Sequence, residues 1–354
     1  MTGTLAANSQ RRSNASRHNG LSVLSARADP AGFDRILSDP VFAEIETYPQ
    51  TNIFGRVYNP AIYGNHDRSF AIVDGGVPIL LCQCSSDNGR LDFYRMPIRL
   101  VAGRGLDEDR RRAAVQSALW RLDEITRANG LSEAVVLDER AGLGSLIEEF
   151  CRARGATMDP HPVACVDLTL GPTAWRAALR KSSRSLINWG RRNLSIKYVN
   201  KETSDKALFD RYRQFHAEVA GRVTRSVESW DVMYEWMARG RGELILGFLA
   251  DELVSGSAFM DGTEISVYMV GVYDRTKFDK PLAHYSIWHG IERARERGMK
   301  VLELGVIPPQ GAASDKEFQI GYFKRGFATD IKECVVWRWP SVLKAVNAED
   351  GVAP

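Results

Sequence analysis

The sequence predicts an α/β protein built as two copies of one mixed-sheet unit in tandem. Three observations carry that prediction. The chain has 354 residues, more than one hydrophobic core ordinarily organises, so two domains is the first expectation. One order of elements (two helices, three strands, helix, strand, helix, strand) can be read twice along it. Landmarks also recur at an offset of roughly 170 positions: Gly130-Leu131 against Gly298-Met299, and Arg154-Gly155-Ala156 against Arg325-Gly326-Phe327. Such a spacing is too long for a solenoid repeat and suits a duplicated domain.

Residues 1–30 read as a flexible basic tail. They are rich in Ser, Asn and Ala, carry Arg11, Arg12, Arg17 and Arg27, and show no sustained apolar period. The first unit occupies 31–170. Phe33 to Glu46 gives two short helical patterns, and three strand-like runs follow at 69–73, 78–84 and 91–100. Asp74-Gly75-Gly76 joins the first two as a hairpin turn. A helix over 107–129 carries Ala114, Leu119, Leu122 and Ile125 on its apolar face and stops at Gly130. A strand at 134–137, a helix over 143–154 and a strand at 163–170 complete the unit. The second unit, 171–340, repeats the order. Helices over 205–219 and 229–239 precede strands at 243–250, 253–260 and 264–273. A helix over 281–297 stops at Gly298, and a strand at 301–304, a helix over 317–325 and a strand at 331–337 follow. Residues 341–354 form a short C-terminal tail.

Apolar content of 44% and charged content of 26% are those of a soluble globular chain. No apolar run approaches the roughly 20 residues that span a bilayer, and no export signal opens the sequence. The chain therefore reads as cytoplasmic, with peripheral placement at the inner membrane face left open. Cys82, Cys84, Cys151, Cys165 and Cys334 are an odd set with no CxxC spacing, as expected of reduced buried thiols. A net charge of +3 does not by itself imply a nucleic-acid partner. His216, His284 and His289 have no metal-ligand spacing, so neither a metal nor a permanently bound cofactor is expected. The oligomeric state is not fixed by any of these features.

The repeated αα-βββ-α-β-α-β order is that of the GNAT acyltransferase fold, so the fold class is a tandem duplication of a GNAT-like domain. Three stretches extend the likeness: Trp175 to Arg184, a basic helical segment; Pro281-Leu282-Ala283 through Gly298 to Gly305, a helix, glycine stop and strand ending in Gly; and Phe323-Lys324-Arg325-Gly326-Phe327. In this order the second half resembles the FemAB-like acyltransferases, which have two GNAT-like domains and attach aminoacyl or acyl groups to amines of cell-envelope precursors. The resemblance covers about half of the chain and implies two partners. One is an activated acyl donor, either aminoacyl-tRNA or acyl-CoA, and the other is an amine acceptor on an envelope or sugar precursor that bears phosphate. One departure bears on the donor. Acyl-CoA enzymes of this fold place a glycine-rich pyrophosphate loop before the long helix. Here the stretch Asp274 to Pro281 contains no glycine and offers Arg275, Lys277 and Lys280 as point charges instead.

Acyl transfer to an amine needs an oriented carbonyl, charge stabilisation for the oxyanion and a route for the proton. Tyr268 lies on the strand that meets the acyl group in GNAT folds and is a candidate proton donor. Period two puts it on one face with Glu264 and Ser266, and puts Met269, Gly271 and Tyr273 on the other. Glu303 interrupts an apolar strand, where a carboxylate is expensive unless used as a base or paired, for instance with Arg295. The resemblance implies that Lys324 supplies a stabilising charge during transfer. Arg176, Arg180 and Arg184 recur every fourth residue and line one side if the helix is continuous, with Lys181 beside them. That array suits phosphates of tRNA, CoA or a linked sugar. Arg222 and Arg225, in the loop that borders the acceptor side in this fold, are grouped with His284 as acceptor-binding residues. Three readings stay open: Fem-like N-acyl transfer, acyl-CoA-dependent transfer to a small amine, and a degenerate GNAT pair that binds RNA.

Overall fold

The computed structural model describes residues 20–42, 53–140, 144–308 and 314–341. The core of the second half is a seven-stranded sheet. Its order is Ser195–Val199, Gly242–Leu249, Glu252–Asp261, Ile265–Tyr273, Val301–Val306, Val163–Asp167, Asp330–Lys332. The first half divides between two sheets. One has the order Ser22–Ser25, Phe70–Asp74, Val77–Cys82, Leu100–Ala102, and the other Ser85–Asp87, Arg90–Asp92, Glu133–Asp138, Val335–Pro340, Thr157–Pro160. The Gly75-Gly76 hairpin has φ of +57° and +90° at its two glycines, the left-handed pair that a type I′ turn requires.

The two units exchange strands. Val163–Asp167, which closes the first repeat in sequence, pairs with Val301–Val306 and Asp330–Lys332 in the second unit's sheet. Val335–Pro340 crosses the other way and lies between Glu133–Asp138 and Thr157–Pro160. The expected strand at 331–337 is therefore two short strands in different sheets, divided at Glu333-Cys334. A cut at residue 170 separates the repeats in sequence but not the sheets.

Other differences from the sequence reading have local causes. Ser22–Ser25, expected in the tail, pairs antiparallel with Phe70–Val73 and buries Leu21 and Ala26 at its ends. Residues 1–19 of the tail lie outside the described residues, as do 342–354. Helix Pro30–Leu37 and the short turn Pro40–Phe42 match the two expected patterns up to residue 42. Helix Ile53–Tyr63 was hidden by Gly55 and Pro60, and its Phe54 and Tyr58 belong to the second unit's core, beside Trp230 and Met233. The basic segment is broken. Helix Pro172–Ala178 ends, Arg180 adopts an extended conformation, and helix Lys181–Asn193 begins anew, so Arg176 does not share a helix face with Arg180 and Arg184.

Helix Leu282–Glu296 is pinned beneath the second sheet. It buries Leu282, Ile287, Trp288 and Ile291, each worth about 1.5–3 kcal/mol when fully buried. At its C-terminal end Arg293 (2.9 Å) and Arg297 (2.7 Å) both grip the fully buried Glu243, and Arg297 also holds Asp261 at 2.6 Å. Asn200 gives Glu243 a further hydrogen bond at 2.8 Å. Among the described residues no helix is long and apolar enough to cross a membrane.

Candidate active site

The site is set by two neighbouring parallel strands that part. Ile265–Tyr273 and Val301–Val306 pair over only three positions, ending at Val267 opposite Glu303. Val301–Val306 stays paired with Val163–Asp167 throughout, with a register shift between Glu303 and Gly305, while Ile265–Tyr273 runs on without it. A cavity of about 680 Å³ lies against the stretch of Ile265–Tyr273 beyond that pairing, with Tyr268, Met269, Val272, His284, Phe323 and Lys324 in its wall.

Tyr268 faces this cavity because of a bulge. Phe259 pairs with Tyr268 and Ala258 with Val270, so Met269 is an extra residue and the alternation of faces shifts by one. Tyr268, Gly271 and Tyr273 consequently share a face, against the period-two expectation. Gly271 makes room for this: a Cβ there would stand 1.7 Å from the Tyr268 hydroxyl. The hydroxyls form a chain. Tyr268 meets Tyr273 at 2.7 Å, Tyr273 meets Ser257 at 3.0 Å, Ser257 donates to Ser286 at 3.2 Å, and Ser286 donates to the Ala283 carbonyl at 3.0 Å. A carbonyl only accepts, so the Ser286 proton is committed and each proton upstream must point the same way. Tyr273 donates to Ser257, Tyr268 donates to Tyr273, and the Tyr268 oxygen is left with lone pairs for the cavity. Burial, reinforced by Tyr273, holds the Tyr268 phenol well above its ordinary pKa. It therefore stays protonated and acts as an acceptor towards the cleft.

Lys324, near the C-terminal end of helix Asp315–Arg325, reaches over Gly305. A Cβ at Gly305 would lie 2.8 Å from Lys324 Nζ, and its φ of +98° also favours glycine. Burial lowers the Lys324 pKa, and the charge of Glu303 opposes that shift. Glu303 stands behind the lysine. Its field also reaches the Cys165 thiol, which burial first and Glu303 second push up to about 12. His284 packs its ring 5.1 Å from Phe323 and 5.7 Å from Phe327. Burial pushes its pKa down to about 4, a shift the Pro281 carbonyl opposes and Arg180 adds to. His216 on the opposite wall is also pushed to about 4, by burial and then Arg225. Both rings are neutral at pH 7.

Residues 174–319 match the family model described as an acetyltransferase (GNAT) domain. That stretch of the chain is similar to a GNAT acetyltransferase domain. The whole chain has the tandem GNAT fold and resembles three solved structures. FemX is 13% identical with a TM-score of 0.59, over 84% of this chain and 94% of that one. The C-terminal domain of a protein assigned as lysylphosphatidylglycerol synthetase from Agrobacterium fabrum is 13% identical with a TM-score of 0.58, over 90% and 95%. A tandem GNAT protein from the clavulanic acid biosynthesis pathway is 15% identical with a TM-score of 0.55, over 91% and 98%. No curated protein sequence matches the chain.

The cleft of the GNAT domain brings together Tyr268, Lys324, His284, Arg275 and Lys280 of the residues singled out in the sequence. Lys277 is turned away and paired with Asp274 (2.6 Å) and Glu252 (2.8 Å), and Lys280 is paired with Asp279 (2.7 Å). Arg180 and Arg184 are occupied elsewhere. Arg180 donates to the Tyr322 carbonyl and stacks 3.8 Å over its ring, and Arg184 donates to the Ala177 and Leu179 carbonyls that end the preceding helix. Lys181 is exposed outside the cleft lining, and so is Arg222. Arg225 donates to the Tyr58 hydroxyl at 2.9 Å, which ties the loop beside His216 to the first unit. Sequence reasoning missed Tyr273, Ser257 and Ser286, because their partnership depends on the bulge. Gly271, inside a run of strand formers, was the one signal of close approach.

The first unit closes the equivalent gap. Arg90–Asp92 pairs with Glu133–Asp138 for two positions and the chain then loops out through Tyr94 and Arg95, both with positive φ. It returns at Ile98, whose N–H donates to Val135 O (2.9 Å) and whose carbonyl accepts from Leu137 N–H (2.8 Å). The parting that makes a cleft in the GNAT domain is stitched shut here.

Proposed function

We propose that the protein transfers an acyl group from an activated donor to an amine carried on an anionic cell-envelope or sugar precursor, using the cleft of the second unit. The observation that carries this reading is the convergence of Tyr268 and Lys324 on one cavity. The Tyr268 lone pair accepts one N–H of the incoming amine and so aims the nitrogen lone pair at the carbonyl. Attack forms the C–N bond and moves charge onto the carbonyl oxygen, where the Lys324 ammonium meets it. A fixed charge of this kind is worth about 10²–10³ in turnover. Collapse breaks the bond to the carrier, and the proton lost by nitrogen leaves with the carrier group. Glu303 behind Lys324 keeps the lysine charged against its desolvation, a positioning role. Arg275, Lys280 and Lys316 at the cavity wall favour an acceptor bearing phosphate or carboxylate.

An envelope acceptor is supported by the likeness to the C-terminal domain of a protein assigned as lysylphosphatidylglycerol synthetase. The RNA-module reading loses its main support because Arg180 and Arg184 are spent on backbone carbonyls. The test is amide formation, read by mass spectrometry, with purified protein, a series of acyl-CoA thioesters or charged tRNA, and candidate amine precursors. Lys324→Ala should keep its circular dichroism and lose about 10²–10³ in turnover. Undiminished transfer in that variant removes Lys324 from the chemistry, and no amide from any donor removes the function.

A further inference from the structure

The charges and surfaces of the cleft bear on which acyl group it takes. Four cationic side chains, Arg275, Lys280, Lys316 and Lys324, are in its wall, and no Asp or Glu is among the described residues that line it. The acids close by are engaged: Asp279 by Lys280, Asp274 by Lys277, and Glu303 behind Lys324. An aminoacyl group carries an α-ammonium. Brought beside Lys324 in a partly dry cleft it would face like charge with no carboxylate to pair with, an arrangement that costs several kcal/mol in desolvation alone. An uncharged acyl chain meets no such penalty.

The remaining wall suits hydrocarbon. Val219, Met269, Val272, Phe278, Ile320 and Phe323 provide most of it, and at the mouth Phe278 is 66% and Ile320 44% exposed. Singly exposed apolar residues are ordinary. Two at one cavity mouth, continuous with an apolar interior, form a track. A volume of about 680 Å³ would be left largely empty by an acetyl group, even with a carrier arm beside it.

We infer that the acyl group is an uncharged, extended hydrocarbon chain rather than an aminoacyl group, its carbonyl oxygen at Lys324 and its tail along Met269, Phe323 and Ile320. The inference rests on the acyl-transfer reading above and narrows its donor. It places the chain on the acyl side, because the apolar track begins at the strand that carries Tyr268.

The test needs no knowledge of the carrier. Straight-chain alkanoates from butanoate to tetradecanoate are titrated against the full-length protein, with ω-amino octanoate and a matching series of n-alkylamines. Alkanoate affinity should rise by about fourfold per methylene until the track is full. ω-Amino octanoate should bind at least tenfold more weakly than octanoate. Ile320→Asp, a change at an already exposed position, should flatten the series without altering the fold. A flat alkanoate series, no binding, or equal affinity for the ω-amino analogue overturns the inference. A steep series confined to the alkylamines also overturns it and moves the hydrocarbon to the acceptor. The acyl-transfer reading is judged separately by amide formation. Transfer with a flat series sinks only the chain-length inference, and a steep series with no amide from any donor sinks only the reaction.

Discussion

Gly271→Ala is the most exacting check on the site because it needs no substrate. Gly271 does not have a positive φ, so alanine suits its backbone and by itself stabilises by about 0.4–1 kcal/mol through the unfolded chain. The penalty is steric. The new Cβ would stand 1.7 Å from Tyr268 Oη, 2.7 Å from its Cζ and 3.0 Å from Tyr273 Oη. Carbon and oxygen rest at about 3.3–3.6 Å even in their closest favourable contacts. The Tyr268 hydroxyl must therefore move by more than an ångström, and its 2.7 Å bond to Tyr273 cannot survive. Overpacking of about 1–3 kcal/mol and a buried hydrogen bond of about 1 kcal/mol, less the backbone gain, leave a net cost of about 2 kcal/mol. Strand exchange makes a single global transition a poor readout for a two-unit chain. Hydrogen exchange of peptides covering Ile265–Tyr273 reports the local free energy, and about 2 kcal/mol appears there as roughly thirtyfold faster exchange. Tyr268→Phe removes the nearest atom, so adding Gly271→Ala to it should cost about 1 kcal/mol less than in the parent, a measurable coupling. Exchange at the parental rate in Gly271→Ala, or strict additivity with Tyr268→Phe, would refute the packing on which the direction of the hydroxyl chain depends.

Two further outcomes follow from buried charge. Glu243→Gln leaves Arg293 and Arg297 facing an uncharged amide in place of a fully buried carboxylate; it should destabilise the second unit by about 3–5 kcal/mol, read as a lower urea midpoint, and a shift under 1 kcal/mol would show that the cluster is dispensable. His284, with its pKa held at about 4, takes up no proton when folded where an unfolded histidine does. Stability should therefore be intact above about pH 6.5 and be lost progressively as the pH falls towards 4, by at most about 3 kcal/mol from this group. His284→Phe should abolish that part of the slope, and an unchanged pH profile in the variant would reject the assignment.

The repeat of helices and strands in the second half was legible because it rests on local signals: alternating strands, glycine stops, and charges that punctuate apolar runs. Lys324 came from the family resemblance and Tyr268 from its place on a GNAT-type strand; with His284 they meet in one cavity. What was not legible depends on register and partner. One inserted residue at Met269 turns Tyr268 to the face of Tyr273, and no composition cue distinguishes that bulge from a regular strand. The spacing of Arg176, Arg180 and Arg184 promised a cationic stripe, but the extended conformation at Arg180 breaks it and turns two guanidinium groups onto carbonyls. Lys277 and Lys280 looked like free cations in sequence and are paired with acids within a few positions or across a hairpin. Strand exchange is invisible to any reading that assigns each strand to its nearest neighbours in sequence.

The two units differ at the seam beside the candidate site. Parting two strands inside a sheet leaves backbone N–H and C=O groups without their ladder partners, which a packed interior does not tolerate. The first unit resolves this by returning Ile98 to the gap, where two backbone hydrogen bonds close the seam. In the second unit the ladder between the two strands ends at Val267 and Glu303, and Tyr268, Met269 and Gly271 to Tyr273 beyond it line the cavity. An open seam weakens a sheet unless something else holds the two walls. Here the walls are held from outside the cleft. Glu243 and its arginines fix helix Leu282–Glu296 at the far end. The strand borrowed from the first repeat continues the sheet past Val301–Val306, and Tyr58 anchors Arg225 beside His216. The first unit thus has a structural share in the candidate site: it supplies a strand and a helix to the second copy.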